Sequence, residues 1–231
     1  LTKNMRILTG DDNGLVKCSR IHPTEAPKQV FKYGLQKENY EVHNLRWSLP
    51  PSSAFCTFTH SNGVVKTFDL QKEKVFIKRE LTLDDKCQIR SIALIGDDIM
   101  SQTLLYAQSN GSIFTTKLDY EDEDQKREEI VQVKKRSDDK KLTAMEHRNG
   151  SEYLFLGQFL PQIYDIETKK LVWKGKNVSN DEDDLEIPLF DTSGQFLPNS
   201  TREFVISNGY GKLRLYDVLR KPKPMIDVQV C

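Results

Sequence analysis

The chain has 231 residues, 29 % of them charged, and its basic and acidic side chains balance to a formal net charge of zero. A neutral chain has no global field that would steer it to nucleic acid or to a membrane surface, although a local basic patch is still possible. No apolar run approaches the roughly 20 residues that a membrane-spanning helix needs. Short bursts of aliphatic and aromatic residues instead alternate with polar segments, which is typical of a strand-rich protein.

The cysteines and histidines stand far apart and show no metal-ligand spacing. Cys18, Cys56, Cys87 and Cys231 form no Cys-x-x-Cys pair, so we interpret them as reduced thiols, about half of them buried in strands. The acidic run 181–184 resembles a calcium loop but lacks the central glycine and the final glutamate. Nucleophile, phosphate-loop and dinucleotide motifs are also missing from the sequence. We therefore predict no metal, no cofactor, no catalytic residue and no enzyme.

An Asn-Gly pair between two extended runs occurs at 13–14, 62–63 and 110–111. Asn-Gly in this context predicts a two-residue hairpin with both turn residues at positive φ. The glycines are 48 or 49 residues apart, and this near-constant period predicts one supersecondary unit that is repeated.

Each repeat contains a meander of short strands. In chain order we predict strands at 6–9, 15–21 and 29–33; at 42–47, 54–59, 64–70 and 74–79, with a break at 50–53; at 88–95, 103–108, 113–118 and 129–133; at 142–146, 153–157, 162–166 and 171–174; and at 194–197, 203–207, 213–218 and 225–230. Four strands in a meander make a propeller blade. The sequence therefore predicts an all-β fold with about five blades, at approximately 1–39, 40–82, 83–138, 139–176 and 177–231, the first without an obvious opening strand.

The third strands of three repeats end in an aromatic residue followed by aspartate: Phe68-Asp69, Tyr164-Asp165 and Tyr216-Asp217. These pairs stand where WD-repeat proteins carry Trp-Asp, so the chain resembles a WD40-like β-propeller. We expect the aromatic ring to pack between neighbouring sheets and the aspartate to cap the strand end. An open five-blade arc would expose sheet edges, so we expect the native protein to continue past Cys231 and supply further blades.

Two kinds of charged run could contact partners. The run 120–127 is interpreted as a solvated loop of mixed sign, with a docking tail as the alternative. Basic residues at 134–136, at 140–141, at 174 with 176, and at 220–221 with 223 could neutralise phosphates or simply aid solubility. Aromatic interleaving of the kind used to stack single-stranded bases is absent around these basic runs.

The interval before the fifth repeat is longer than the others. It contains the polar segment 174–191, rich in Asn and Asp and interrupted by Pro188. We expect an ordered surface connection held by Asx turns at Asn177, Asn180 and Asp181. Loops on a rigid scaffold are common places for binding function.

This segment also carries the most specific resemblance in the chain. The pattern is Lys176-Asn177-Val178, Asn180-Asp181, Asp184-Leu185 and Pro188, followed by Gln195-Phe196-Leu197-Pro198. It resembles the WD-repeat family of nucleolar assembly factors for the large (60S) ribosomal subunit. The similarity continues through 162–165 before the segment and 209–217 after it. Glu182, Asp183 and Glu186 make the loop more acidic than is usual in the family, and Phe190 stands where tryptophan is common.

The resemblance implies a seven-bladed propeller that acts as a non-catalytic scaffold in ribosome biogenesis and rRNA processing, in the nucleus and nucleolus and not at a membrane. It implies docking onto other assembly factors in pre-60S particles, contacts with rRNA phosphates, release by an AAA-type ATPase, and a basic tail that this chain does not contain. The implied partner-binding residues are Lys176, Asn177, Val178, Asn180, Asp181, Asp184, Leu185 and Pro188. Asn177 and Asp181 could equally well cap the crossing between blades, and the two roles are compatible. The alternative function is a WD-repeat substrate receptor or signalling adaptor that binds peptides on the propeller face; a propeller enzyme is a more distant third.

Overall fold

A computed structural model of the chain describes residues 5–38, 40–49, 52–118, 127–134 and 139–230. Regular secondary structure in these residues is antiparallel β-strand, so the predicted all-β class is confirmed. No helix in the described part of the chain is long and apolar enough to cross a membrane. The run 120–126 and the basic residues 135 and 136 lie outside the described residues.

The strands form five meander sheets, in each of which neighbours in sequence pair with each other. The first sheet contains β1 (Met5–Gly10), β2 (Val16–His22) and β3 (Glu25–Tyr33), and the second contains β4 (Val42–Leu49), β5 (Ser52–His60), β6 (Val64–Asp69) and β7 (Lys74–Glu80). The third contains β8 (Ile89–Ile95), β9 (Thr103–Gln108), β10 (Ser112–Lys117) and β11 (Glu128–Gln132). The fourth contains β12 (Leu142–Asn149), β13 (Glu152–Gly157), β14 (Gln162–Asp165) and β15 (Lys170–Lys174), and the fifth contains β16 (Asp191–Phe196), β17 (Glu203–Asn208), β18 (Lys212–Asp217) and β19 (Ile226–Gln229).

The first sheet has three strands and the others have four in the described part of the chain, as the sequence predicted. The prediction of a break at 50–53 is wrong in its second half. Ser52 already pairs with Leu49 as the first residue of β5, because the backbone of a serine, unlike that of proline, can donate to the ladder. The assignment of 1–231 to the N-terminal part of a longer propeller stays a prediction.

The described residues divide into two compact units, one of 5–104 with 116–118 and the other of 105–115 with 127–230. In the first unit a hydrophobic core lies between the sheet of β1–β3 and the sheet of β4–β7. Phe68 at the end of β6 is 2 % exposed and stacks on Phe31 of β3, with ring centroids 5.4 Å apart. Burial of one such ring stabilises the fold by roughly 2–3 kcal/mol. The predicted packing of this aromatic between neighbouring sheets is confirmed.

A chain of buried hydroxyl groups crosses the same sheet. The Thr57 hydroxyl lies 2.8 Å from that of Ser48 on β4 and 2.8 Å from that of Thr67 on β6. All three residues are at most 2 % exposed. Because buried polar groups need partners, this chain fixes the relative register of three strands.

In the second unit a core lies between the sheet of β12–β15 and the sheet of β16–β19. Tyr216 of β18 is 1 % exposed and stacks on Phe204 of β17, with centroids 5.3 Å apart. Trp173 of β15 meets both rings edge-on, at 5.8 Å from Tyr216 and 5.5 Å from Phe204. Edge-to-face contacts of this kind add to the burial of the rings. Tyr216, like Phe68, therefore packs between neighbouring sheets.

The aspartates of the three aromatic-Asp pairs cap the strand ends as predicted. Asp69 Oδ1 accepts hydrogen bonds from the backbone N–H groups two and three residues later, each at 2.9 Å. Asp165 Oδ1 accepts the equivalent pair at 3.0 and 3.3 Å. Asp217 Oδ1 accepts from Leu219 N at 3.0 Å, and its carboxylate also forms a two-point ion pair with Arg202. Hydrogen bonds from Ser151 and Thr168 lower the pKa of Asp165 to about 2.

The prediction that both residues of each Asn-Gly turn have positive φ is wrong. In these three turns, all within the described residues, only Gly14, Gly63 and Gly111 have positive φ, at 90°, 88° and 86°. Gly63 N donates to His60 O at 3.0 Å, so the loop between β5 and β6 has three residues and ends with a left-handed glycine. This is a type I turn with a bulge rather than a two-residue turn. The asparagine stays right-handed because its side-chain oxygen can then accept from the N–H two residues later, as Asn110 does from Ser112 at 3.0 Å.

Candidate partner-binding loop

The residues 175–190 between β15 and β16, here called the connecting loop, are ordered by backbone hydrogen bonds at both ends. Gly175 N donates to Pro161 O at 2.8 Å, and Lys176 N donates to Pro222 O at 2.9 Å. At the far end, Gly209 N donates to Phe190 O at 2.8 Å. A Cβ on Gly209 would lie 2.3 Å from Phe190 Cδ1, so only glycine lets this ring pack on the β17–β18 turn. The loop is therefore tied to its own unit at entry and exit.

A five-residue turn forms the tip of the connecting loop. Asp181 Oδ1 accepts from Asp183 N at 3.0 Å and from Leu185 N at 2.8 Å, and Asp181 N donates to Leu185 O at 3.0 Å. Asp184 has a φ of 59° and therefore occupies the left-handed position that glycine takes in the Asn-Gly turns. The Asx turn predicted at Asp181 is confirmed.

The predicted Asx turns at Asn177 and Asn180 are wrong: Asn177 Oδ1 accepts from Val178 N at 2.9 Å rather than from the residue after it, and both side-chain NH₂ groups donate across the loop. Asn177 Nδ2 donates to Ile187 O at 2.6 Å and thereby joins the two arms of the loop. Asn180 Nδ2 donates to Asp184 O at 3.0 Å and to Asp184 Oδ1 at 2.9 Å. The side chains of Asn177, Asn180, Asp181 and Asp184 therefore shape the loop.

The remaining predicted site residues present their side chains to solvent or to a groove. Leu185 is 62 % exposed at the tip of the connecting loop. Lys176 and Pro188 are exposed, and Val178 is half-buried. Chain regions distant in sequence also contribute, since Tyr210 is 47 % exposed and packs edge-on against Phe190 with centroids 6.3 Å apart.

Two open grooves flank the connecting loop. The first has a volume of about 560 Å³ and is bounded by 178–182 on one side and by Lys212, Lys223 and Met225 on the other. Lys223 Nζ donates to Ser179 Oγ at 3.3 Å across it. The second has a volume of about 400 Å³ and is lined by 186–189 and Tyr210, with Lys140 at its rim. The sequence marked Lys140 and Lys223 only as basic residues and gave no sign that Lys212, Met225 and Tyr210 lie beside the loop, because the folded β17–β19 meander brings these three to it.

Beneath the exit of the connecting loop lies a buried polar pair. Asp191 and Arg214 are each 1 % exposed, and Arg214 Nε donates to Asp227 Oδ1 at 3.2 Å. Neither carboxylate oxygen of Asp191 and neither Nη of Arg214 has a hydrogen-bond partner among the described residues. Burial raises the pKa of Asp191 to about 7, although the positive charge of Arg214 acts in the opposite direction. The connecting loop therefore ends beside the buried carboxyl group of Asp191, whose pKa lies near neutral pH.

The described residues contain no group of three or more His, Cys, Asp or Glu side chains that could hold a metal ion. The acidic turn instead uses its Asp181 carboxylate to order its own backbone. Cys18 of β2 and Cys56 of β5 are free and buried in strands, as predicted, and Cys87 is free and partly exposed. Burial raises the pKa of the Cys56 thiol to about 12, as expected for an unreactive cysteine.

The meander sheets, the aspartate caps and the ring pairs between sheets are those of an all-β, WD40-like β-propeller protein, and comparison with known proteins supports the same class. No protein-family model matches the chain. The chain is 34 % identical over 67 residues to ribosome biogenesis protein NSA1 of Meyerozyma guilliermondii, a match that covers 29 % of this chain and 17 % of the relative. It is 35 % identical over 68 residues to WD repeat-containing protein 74 of Mus musculus, covering 29 % of this chain and 17 % of the relative. WD repeat-containing protein 74 of Homo sapiens is 40 % identical over 57 residues, a match that covers 24 % of this chain and 14 % of the relative.

These matches confirm the resemblance found in the sequence: the chain has homologues named as a ribosome biogenesis protein and as a WD-repeat protein. Each match spans less than a fifth of the relative's own length.

Proposed function

We propose that the chain is a non-catalytic WD-repeat scaffold in ribosome biogenesis, which docks onto assembly factors in nucleolar pre-60S particles through the connecting loop. The observation that carries the proposal is the similarity to ribosome biogenesis protein NSA1. The form of the loop supports it, because an ordered, solvent-exposed loop on a rigid sheet binds partners without a large loss of conformational entropy.

Within the loop we assign two roles. Asn177, Asn180, Asp181 and Asp184 hold the backbone, since their side chains are engaged in internal hydrogen bonds. The exposed side chains of Lys176, Leu185 and Pro188, with half-buried Val178 at the groove, contact the partner. Leu185 is the central apolar anchor in this proposal, because a buried leucine contributes roughly 1.5–3 kcal/mol to an interface.

The docking role is tested by replacing Leu185 with alanine. We expect Leu185→Ala to reduce copurification of the tagged protein with pre-60S particles by about tenfold, the effect of roughly 1.4 kcal/mol. The matched control is Leu219→Ala, since Leu219 is 73 % exposed and lies in the same unit outside the loop. Equal copurification of both variants would argue against docking through the loop. Copurification with ubiquitin-ligase subunits instead of ribosomal precursors would favour the adaptor function.

We further propose, from the resemblance, that an AAA-type ATPase releases the protein from the particle. Arrest of that ATPase with a non-hydrolysable nucleotide should then retain the protein on pre-60S particles. Release at the normal rate in the arrested state would contradict this step.

A further inference from the structure

The first unit contains a cluster of aromatic rings and lysines that no sequence motif marks. Tyr40 stacks on His60 with ring centroids 3.7 Å apart and an interplanar angle of 18°. His60 Nδ1 donates to Tyr40 O at 3.1 Å, which ties the segment after β3 to the end of β5. Burial lowers the pKa of His60 to about 4, so this ring is neutral at pH 7. Tyr33 of β3 lies beside Tyr40 and packs on Phe68 of the core at 4.7 Å.

Three lysines converge on these rings. Lys66 Nζ lies 5.3 Å from the Tyr33 ring centroid and 5.5 Å from that of Tyr40, and Lys37 Nζ lies 5.8 Å from that of Tyr40. Lys78 of β7 stands directly opposite Lys66 of β6 in the ladder. Rings held by the core therefore position the ammonium groups on one surface.

The positive charge of this surface is only partly balanced. Lys78 forms an ion pair with Glu80 at 3.0 Å, whereas Lys66 and Lys37 have no carboxylate within ion-pair distance among the described residues. Lys66 is half-buried. Its burial and the like charges of Lys78 and Lys37 lower its pKa. Like charges opposite each other in a sheet are destabilising, and an anion bound between them would offset the repulsion.

The chemistry of the donors indicates which anion fits. Lysines act as point charges, so they attract phosphate oxygens without imposing the fixed bidentate geometry of arginine. Exposed Lys37 and Lys78 with half-buried Lys66 form an open surface rather than an enclosed pocket. Open lysine surfaces with hydroxyl donors suit successive phosphodiesters of a nucleic-acid backbone.

We propose that Lys37, Lys66 and Lys78, with the hydroxyl groups of Tyr33 and Tyr40, form a binding site for the phosphodiester backbone of single-stranded RNA. The choice of RNA among polyanions rests on the proposed function in ribosome biogenesis. The site lies in the first unit and uses no residue of the connecting loop.

The test measures binding of a fluorescein-labelled single-stranded RNA of about 12 nucleotides by fluorescence anisotropy, over a series of salt concentrations. We expect Lys37→Gln/Lys78→Gln to raise the dissociation constant about tenfold or more. We also expect the slope of log affinity against log salt to fall by about 1.4, since each lost phosphate contact on a single strand accounts for about 0.7. Both side chains are exposed, so the fold is retained, and Lys66→Gln should weaken binding in the same direction.

The matched control is Lys117→Gln/Lys170→Gln, which removes the same charge from exposed positions of β10 and β15. Unchanged RNA affinity in the Lys37/Lys78 variant, or an equal loss in the control, would overturn the proposal. Tighter binding of a phosphoserine peptide than of RNA, with the same lysine dependence, would overturn it in favour of a phosphoprotein. The Leu185→Ala variant should bind RNA normally, so failure of the docking proposal is seen separately in particle copurification.

Discussion

Asp11 and Asp181 hold two turns of the same form with the same hydrogen bonds. Asp11 Oδ1 accepts from Leu15 N at 2.8 Å, and Asp181 Oδ1 accepts from Leu185 N at 2.8 Å. In each turn the aspartate N–H donates to the leucine carbonyl at 3.0 Å. The acidic tip of the connecting loop is therefore a copy of a hairpin turn without flanking strands, and the Asp181 carboxylate accepts two of the hydrogen bonds that order it.

Replacement of Asp181 by alanine should loosen the tip of the loop. The change removes the acceptor of two backbone hydrogen bonds, each worth about 1 kcal/mol. We expect limited proteolysis with a glutamate-specific protease to cleave at Glu182 and Glu186 several-fold faster than in the parent protein. Asp181→Asn retains a side-chain oxygen and should resist cleavage like the parent. Cleavage of the alanine variant at the rate of the parent protein would show that the Asp181 side chain does not order the loop.

The backbone at Asp184 provides a second test of the turn. Its φ of 59° is tolerated by aspartate and free for glycine, but costs a β-branched residue about 1–3 kcal/mol. Because Leu185 N donates to Asp181 Oδ1, we expect Asp184→Gly to leave the hydrogen-exchange rate of this N–H as in the parent, and Asp184→Val to accelerate it. Equal exchange rates in the two variants would contradict the turn geometry.

The strands and caps were predictable because they depend on local sequence. Period-2 alternation between turn residues located the strands within a few residues, and the aromatic-Asp pairs located the caps. The turn type was missed since an Asn-Gly pair fits both a two-residue turn and a type I turn with a bulge, and the choice depends on strand register. The similarity of the 181–185 turn to the 11–15 turn was readable in sequence, as Asp-Glu-Asp-Asp-Leu beside Asp-Asp-Asn-Gly-Leu.

The polar clusters were not predictable, because their members meet only in the folded sheets. Lys66 lies opposite Lys78 in the β6–β7 pair, whereas Tyr33 reaches it from the neighbouring sheet of β1–β3. Lys37, Lys66 and Lys78 also stand outside the basic runs of the sequence, so those runs do not mark the cluster. The side chains of Asp191 and Arg214 are likewise brought together by the pairing of three consecutive strands.

The buried hydroxyl chain of the second sheet predicts a non-additive set of stabilities. Thr57→Val should lower the free energy of unfolding by about 1–3 kcal/mol, because the hydroxyls of Ser48 and Thr67 lose their common partner. The triple variant Ser48→Ala/Thr57→Val/Thr67→Val leaves no orphaned hydroxyl in the chain. We therefore expect the triple variant to be more stable in urea than the sum of the three single losses predicts. Simple additivity would mean that the hydroxyls act independently.

The raised pKa of Asp191 predicts how the free energy of unfolding depends on pH. Its pKa is about 7 in the folded protein against an ordinary value of 3.8, because burial disfavours the carboxylate more than the buried Arg214 favours it. Between these two values the folded protein binds a proton that the unfolded chain has lost. The free energy of unfolding must therefore fall as pH rises from about 4 to about 7, and stay level above that range.

The variant Asp191→Asn removes this titration while it keeps the shape of the side chain. We expect its free energy of unfolding in urea, relative to the parent protein, to increase by about 2–4 kcal/mol between pH 4 and pH 7.5. Asp183→Asn is the matched control, since it makes the same substitution at an exposed aspartate of the connecting loop. Parallel pH profiles for the parent and Asp191→Asn would mean that Arg214 keeps the Asp191 carboxylate charged. Asp191 directly follows the connecting loop. If the pH profiles of the parent and of Asp191→Asn separate as expected, the loop is anchored more weakly above neutral pH than below it.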